Sequence, residues 1–455
     1  MPHLKKGSTI LKTAHLTLAT LLLGSVSYAA PLKLYTDPST GQIYSQAGED
    51  RVLLGEFVKS EADSTKNLTS LIDTKSPQFL LGQQTGPNMK ITAQDDKNMY
   101  LKLGVRFQGT FEQREEDFTG STNDISNSDA YMRRVRFEAT AGFSKYLSFT
   151  MDIRNDKANY EDDGEKGFNV GDAYLKIKKP FDTSLVNFKL YRGKIDVSRT
   201  ETVKSAYTVH YDRASIADEA AQYITHNRRG SNIQMYGDWN KKIHYQVAVG
   251  DGVYSGKMKD ARGSSFGGDV ESQDYFYGGK LKLSPFDGWE EKQLTETYFA
   301  KGKHFTVGAA YWKTANIQTD APIGTIDHEL LNLEISAHYK GLSLSAEYFV
   351  FDGVVKDWSA TEIGKSNGWY ALAEYVFEDY GYIAPFVRYE SWDKYEDTTA
   401  GEDYDFTSTI AGVNWYLRGN TIKAGFVVQE DEYGASLKNG PYTDTRYKIT
   451  TQWFF

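Results

Sequence analysis

The sequence predicts an all-β chain: a sixteen-stranded antiparallel transmembrane β-barrel with one loop folded into its lumen. Two observations predict the barrel. Between Tyr100 and Phe455, apolar and polar residues alternate with period two in sixteen short segments, and the connections between those segments alternate in length. A third observation predicts the loop. Asp196 to Arg229 breaks the alternation in mid-chain, and so long an insert among strands is either functional or disordered.

The N-terminus reads as a secretory leader. Lys5, Lys6 and Lys12 form a basic region, Leu16 to Gly24 an apolar core, and Ser27 and Ala29 the small residues before a cut, which places the leader at residues 1–29. The apolar run is too short to span a bilayer. Residues 30–98 read as a periplasmic extension and linker. LKLYTD and QIYSQ flank PSTG as a hairpin, RVLLGEFV is one more short strand, and Lys59 to Lys97 is polar throughout.

From residue 99 the barrel begins. In YLKLGVRFQGTF, Leu101, Leu103, Val105, Phe107 and Phe111 share one face and Lys102, Arg106, Gln108 and Thr110 the other, the signature of a strand with one apolar and one polar side. Fifteen similar segments follow, ending in RYKITTQWFF. Ser144-Lys145, Asn240-Lys241, Lys340-Gly341 and Arg418-Gly419 are tight turns. The connections between them are long, as at Asn159 to Gly167, Asp251 to Glu271 and Tyr395 to Asp403. Short turns on one rim and long loops on the other define an outer-membrane barrel, and in lipid the sheet must close so that every backbone polar group is paired. Pro285 to Gly302 is an exception, longer than its class. Tyr447, Ile449, Thr451, Trp453 and Phe455 lie on one face of the last strand, and its aromatic end resembles the recognition signal of outer-membrane barrels.

Composition narrows the function. Three of the 52 Lys and Arg fall in the leader, leaving 49 basic against 61 acidic residues and a mature net charge of −12, which argues against a nucleic-acid binder. There is no cysteine, so disulfides, thiolate metal sites and cysteine nucleophiles are excluded. His210, His226, His244, His304, His328 and His338 are scattered without H-x-x-x-H spacing, and no G-x-S-x-G elbow occurs, so no cofactor, metal or catalytic residue is expected. Ser336 and His338, two apart on one strand, are the nearest approach to a lipase-like barrel enzyme, which would need such a pair on its outer face. An adhesin would carry long repetitive loops, and these are not.

The polar faces supply the candidate lining. Arg106, Arg134, Arg136, Arg154 and Lys189 make a basic early wall, while Glu334, Glu347, Glu374 and Glu390 make the later wall more acidic, an arrangement expected to set a transverse field. Arg134 and Arg136, two apart, share a face, which turns Arg133 toward lipid or a subunit interface. The loop, about 195–229, adds Arg199, Lys204, Arg213, Arg228 and Arg229 but balances them with Asp196, Glu201, Asp212, Asp218 and Glu219. Its Tyr207, Tyr211 and Tyr223 are expected to pack it against the wall.

AYMRRVRFEATAGFSKYLSFTMDI, VGDAYLKI, LYRGK and NRRGSNIQMYGDW together resemble the phosphate-selective porin O and P family, from about Tyr100 to Phe455 and most sharply over Ala130 to Asp238. The resemblance implies a homotrimeric, integral outer-membrane porin of Gram-negative bacteria. Its third extracellular loop would enter the pore, its outer surface would meet outer-membrane lipid, and small hydrophilic solutes or anions, phosphate among them, would pass by diffusion. Where that family has a Pro-containing run, this chain has Asp196-Val197-Ser198-Arg199, and its outer loops (EEDF, YEDDGE, EDEY) are acidic rather than basic. A non-selective or cation-leaning general porin is therefore the alternative.

Overall fold

The computed structural model describes residues 32–36, 43–44, 47–48, 51–57, 89–93, 96–118, 125–158, 160, 167–225, 228–291, 294–320, 323–359, 362–396, 401–438 and 440–454. The leader and Phe455 lie outside them. Leu32–Thr36, Ile43–Tyr44 and Val52–Phe57 form a three-stranded antiparallel sheet, with the first strand in the middle.

Among the described residues the remainder is a closed barrel, in which the short strands Met89–Thr92 and Val270–Ser272 pair beside sixteen main strands. They are β1 Tyr100–Phe118, β2 Ile125–Gly142, β3 Leu147–Ala158, β4 Asn169–Lys178, β5 Asn187–Arg192, β6 Ser231–Trp239, β7 Ile243–Gly250 and β8 Phe276–Leu283. Then come β9 Lys303–Thr319, β10 Thr325–Tyr339, β11 Leu342–Val355, β12 Ile363–Tyr375, β13 Ile383–Asp393, β14 Asp405–Asn420, β15 Ile422–Tyr433 and β16 Tyr442–Phe454. Each pairs antiparallel with the next, and β16 closes on β1 with Thr450 opposite Thr110. Met89–Thr92 adds a short strand beside the start of β1, at the short-turn rim.

Local chemistry explains the regularity. On β10, Leu331, Leu333 and Ile335 face outward and are exposed, while Leu330, Asn332, Glu334, Ser336 and His338 between them are buried in the lumen. Exposed aromatic residues gather near the short-turn rim at Trp239, Tyr339, Tyr375, Trp415 and Trp453, where amphipathic rings suit the lipid interface. Asn240 and Lys241 both take positive φ (51° and 59°), the pairing that a two-residue hairpin turn needs to match strand twist. Gly353 sits at a bulge in β11 with φ 87°, and a Cβ there would meet the Asp327 carbonyl oxygen at 1.8 Å.

Two of the described segments fold into the lumen. The inner loop, 193–230, carries α1 (Arg199–Thr202) and α2 (Ser215–Tyr223). Its Ile195, Val197, Val209, Ile216, Ala217, Ala220 and Ile224 pack on inward side chains of β9 to β13, including Trp312, Leu330, Phe349, Phe351, Tyr370 and Trp392. The wall beneath the loop therefore carries an apolar patch, and polar wall residues meet the loop around it. The second segment, 284–302, is the long member of the short-turn class. It folds inward and buries Thr295, Thr297 and Phe299 completely.

Candidate functional site

The wall fixes the inner loop through its backbone. A loop inside a barrel cannot leave its N–H and C=O groups unpaired, and here wall side chains serve as their partners. Glu347 accepts from the N–H groups of Arg199 (3.0 Å) and Thr200 (2.8 Å), at the start of α1. Glu390 accepts from Ser215 (2.9 Å) and Ile216 (2.6 Å), at the start of α2, whose own preceding residue, Ala214, has no side chain to cap with. The loop's carbonyls receive the matching donors: Arg134 on Tyr211 O (2.8 Å), Arg388 on Asp212 O (2.7 Å), Lys423 on Thr208 O (2.8 Å) and Asn414 on Val209 O (3.0 Å). From below, Glu296 of the 284–302 segment accepts from Val209 N (2.6 Å) and from the Thr200 hydroxyl (2.7 Å).

These contacts correct the expected transverse field. Glu334, Glu347, Glu374 and Glu390 do not face an open pore. Glu347 and Glu390 hold helix starts, Glu334 pairs with Lys280, and Glu374 accepts from Tyr416 (2.6 Å). Seated against β9 to β13, the loop takes up Glu347 and Glu390, Glu334 and Glu374 are engaged within the wall itself, and the basic wall of β1 to β5 stays open.

Along that wall run three contiguous cavities. The upper one, about 320 Å³, lies toward the long loops and is lined by nine cationic side chains and three acids. Its cations include Arg133, Arg134, Arg136, Arg154 and Arg228. The middle one, about 280 Å³, shares Arg136, Lys194, Arg213 and Arg229 with it and adds Arg106, Lys189 and Lys204. The lower one, about 250 Å³, shares Tyr174, Lys189, Lys194 and Thr202 with the middle and opens toward the short turns.

A buried carboxylate organises the cations. Glu201, on α1, is 1% exposed and meets Lys194 Nζ at 2.6 Å, Arg228 at 3.0 Å and Arg213 at 3.4 Å. Burial alone would raise its pKa, but these three cations outweigh burial and hold it below the usual carboxylate range. Asp212 is held well below that range in the same way, by Arg133 (2.6 Å) and Lys448 (3.5 Å) against the cost of burial. Asp218 is lowered by its pair with Arg228, again against burial. Lys194 is pushed well below the ordinary lysine value, first by burial and then by Arg213.

Nine of the ten lining residues expected from sequence border these cavities: Arg106, Arg134, Arg136, Arg154, Lys189, Lys204, Arg213, Arg228 and Arg229. Most are already paired: Arg106 and Lys204 with Glu138, Arg136 with Asp156 (2.7 Å) and Arg229 with Asp172 (2.7 Å). Arg199 is turned away. It is 3% exposed and anchors to Glu291 (2.7 Å) and Thr295 O (2.5 Å) of the 284–302 segment.

Arg133 corrects another expectation. Gln108 pairs with Arg134 and Gly109 with Met132, so Arg133 is the extra residue of a β-bulge and points into the upper cavity instead of toward lipid. Lys194, which borders all three cavities, and Lys280 and Lys282 in the lower one are lining cations not expected from sequence. Tyr207, Tyr211 and Tyr223 are buried and pack the loop, as expected. Ser336 and His338 both lie inside the lumen. Ser336 meets His304 across the sheet (3.3 Å) and His338 meets Ser343 (3.1 Å), so the outer-face pair that an enzyme would need is not formed by them.

A family model described as phosphate-selective porin O and P matches residues 101–429. Three solved structures share the fold, each with a TM-score of 0.52. The anion-selective porin from Comamonas acidovorans is 11% identical, with 78% of this chain and 99% of that one covered. The outer membrane channel DcaP of Acinetobacter baumannii is 10% identical, with 80% and 99% covered. Pseudomonas putida OprB is 10% identical, with 78% and 94% covered. No curated protein sequence matches the chain.

Proposed function

The chain belongs to the phosphate-selective porin O and P family, and from that premise we propose that its pathway prefers anions, oxyanions such as phosphate included. It is an integral outer-membrane porin that passes small hydrophilic solutes and ions by diffusion. The observation that carries the preference is the upper cavity, where nine cationic side chains face three acids. Guanidinium groups fork onto the oxygens of carboxylate and phosphate, so a lining rich in Arg suits oxyanions better than halide alone. The fold of an anion-selective porin supports the same reading.

Catalysis is not part of this function, and a homotrimer is the assembly in which we expect the barrel to sit. Residues 30–98 would then be a periplasmic extension, since Met89–Thr92 joins β1 at the short-turn rim. The acidic outer loops favour a second reading, a cation-leaning mouth above the basic cavities.

Charge removal tests the preference. The triple variant Arg134→Gln, Arg136→Gln, Arg154→Gln, studied in planar bilayers under a KCl gradient, should lower the chloride-to-potassium permeability ratio. Phosphate should block chloride current less in the variant than in the parent. Unchanged ratios would remove the Arg wall from the selectivity mechanism.

A further inference from the structure

The lower cavity differs chemically from the upper one. Among the described residues the upper lining holds no aromatic side chain, and its cations face carboxylates. In the lower cavity, Lys176 on β4 and Lys189 on β5 stand opposite one another in the sheet register. Neither ammonium has a carboxylate within 4 Å among the described residues; Lys189 donates to the Lys194 carbonyl at 2.6 Å. Each instead lies over a tyrosine ring of the lumen wall, Lys176 5.4 Å from the Tyr236 ring centre and Lys189 5.1 Å from that of Tyr174. The remaining lysines there are already engaged, Lys194 by Glu201 (2.6 Å), Lys280 by Asp196 (2.8 Å) and Glu334, and Lys282 by Asp196 (3.7 Å).

Two ammoniums without acid partners, each beside a half-buried ring, form a two-part surface. A carboxylate would find point charges at Lys176 and Lys189, and a ring joined to it would find a flat apolar partner in Tyr174 or Tyr236. A small inorganic anion uses only the first part. We infer that the lower cavity is a binding site for ring-bearing organic acids, aromatic carboxylates above all, and that such acids are held there on their way through the pore. The inference rests on the anion-conducting reading and narrows its substrate class.

The test uses the full-length protein in planar bilayers, with benzoate or acetate added on the short-turn side and chloride current recorded. Benzoate should half-block at a concentration about fivefold lower than acetate, the gain one aromatic contact gives. Tyr174→Leu combined with Tyr236→Leu should bring benzoate to the acetate value. Lys176→Gln should weaken block by both acids. Equal block by benzoate and acetate in the parent protein, or a benzoate advantage that survives loss of both rings, would overturn the inference. The reversal potential in the same bilayers separates the two readings: anion selectivity with equal block defeats this site alone, whereas cation selectivity defeats the anion pathway beneath it.

Discussion

At the scale of the residue, Glu201 and Arg133 decide the site. Glu201 neutralises part of a cluster that would otherwise place Lys194, Arg213 and Arg228 together without relief. Removing one partner of a buried ionic cluster leaves uncompensated charge, at a cost of about 3 kcal/mol or more. Glu201→Gln should therefore lower the thermal midpoint of the detergent-solubilised protein clearly more than Asp218→Asn, whose carboxylate is 44% exposed. A fall no larger than that of Asp218→Asn would mean that Glu201 is not the hub. The inner loop also has a definite pH response. Glu201, Asp212 and Asp218 have folded-state pKa values below their unfolded ones, so their stabilisation is complete above the carboxylate range near pH ~4 and disappears as pH falls through the folded values. His210 acts at higher pH. Burial pushes its pKa down to about 3 from 6.5, so the unfolded chain takes up a proton that the folded loop refuses, and stability declines as pH falls across that interval. Thermal midpoints should thus drop in two stages, and His210→Gln should make the first smaller. Neither residue's role was written in the alternation. Arg133 required the bulge, for which the one available signal was the adjacent Arg133-Arg134 pair, two cations that a regular strand cannot both turn away from lipid.

At the scale of the element, the inner loop is held by caps that the wall provides. The position of the loop was legible, because it interrupts sixteen alternating segments between the fifth and the sixth. Its orientation was not. Leu330, Phe349, Phe351 and Tyr370 look like ordinary strand residues in sequence, and only the closed barrel shows that they form an apolar seat inside the lumen. For the same reason the acids of the later wall read as pore lining when Glu347 and Glu390 in fact cap α1 and α2. Replacing a side-chain cap by Ala costs about 1–2 kcal/mol, more where a charge meets a helix start. Glu390→Ala should lower the thermal midpoint and make single-channel current noisier as α2 loosens, while the sign of ion selectivity stays the same. Quiet, parent-like current would show that α2 stays in place without the Glu390 cap. The overlong turn 284–302 was visible in the sequence as an exception in length. Its inward fold depends on Glu291 and Glu296 reaching Arg199, Thr200 and Val209, contacts between segments about 90 residues apart that no local pattern encodes.

At the scale of the whole molecule, the barrel was the most legible feature, because lipid imposes period-two alternation, closure and short periplasmic turns on the sequence directly. Charge was the least legible. The chain as a whole is acidic, at −9, yet the open side of its lumen is strongly basic, because the fold sends acids to helix starts, ion pairs and outer loops while gathering Arg and Lys from the early strands and the inner loop. The central claim is that this local excess, rather than the net charge, governs what passes. The reversal potential of the unmodified protein in a planar bilayer separating dilute from concentrated KCl tests it most directly. Stepwise conductance with a reversal potential of the sign set by chloride is expected. A potential of the sign set by potassium would contradict it.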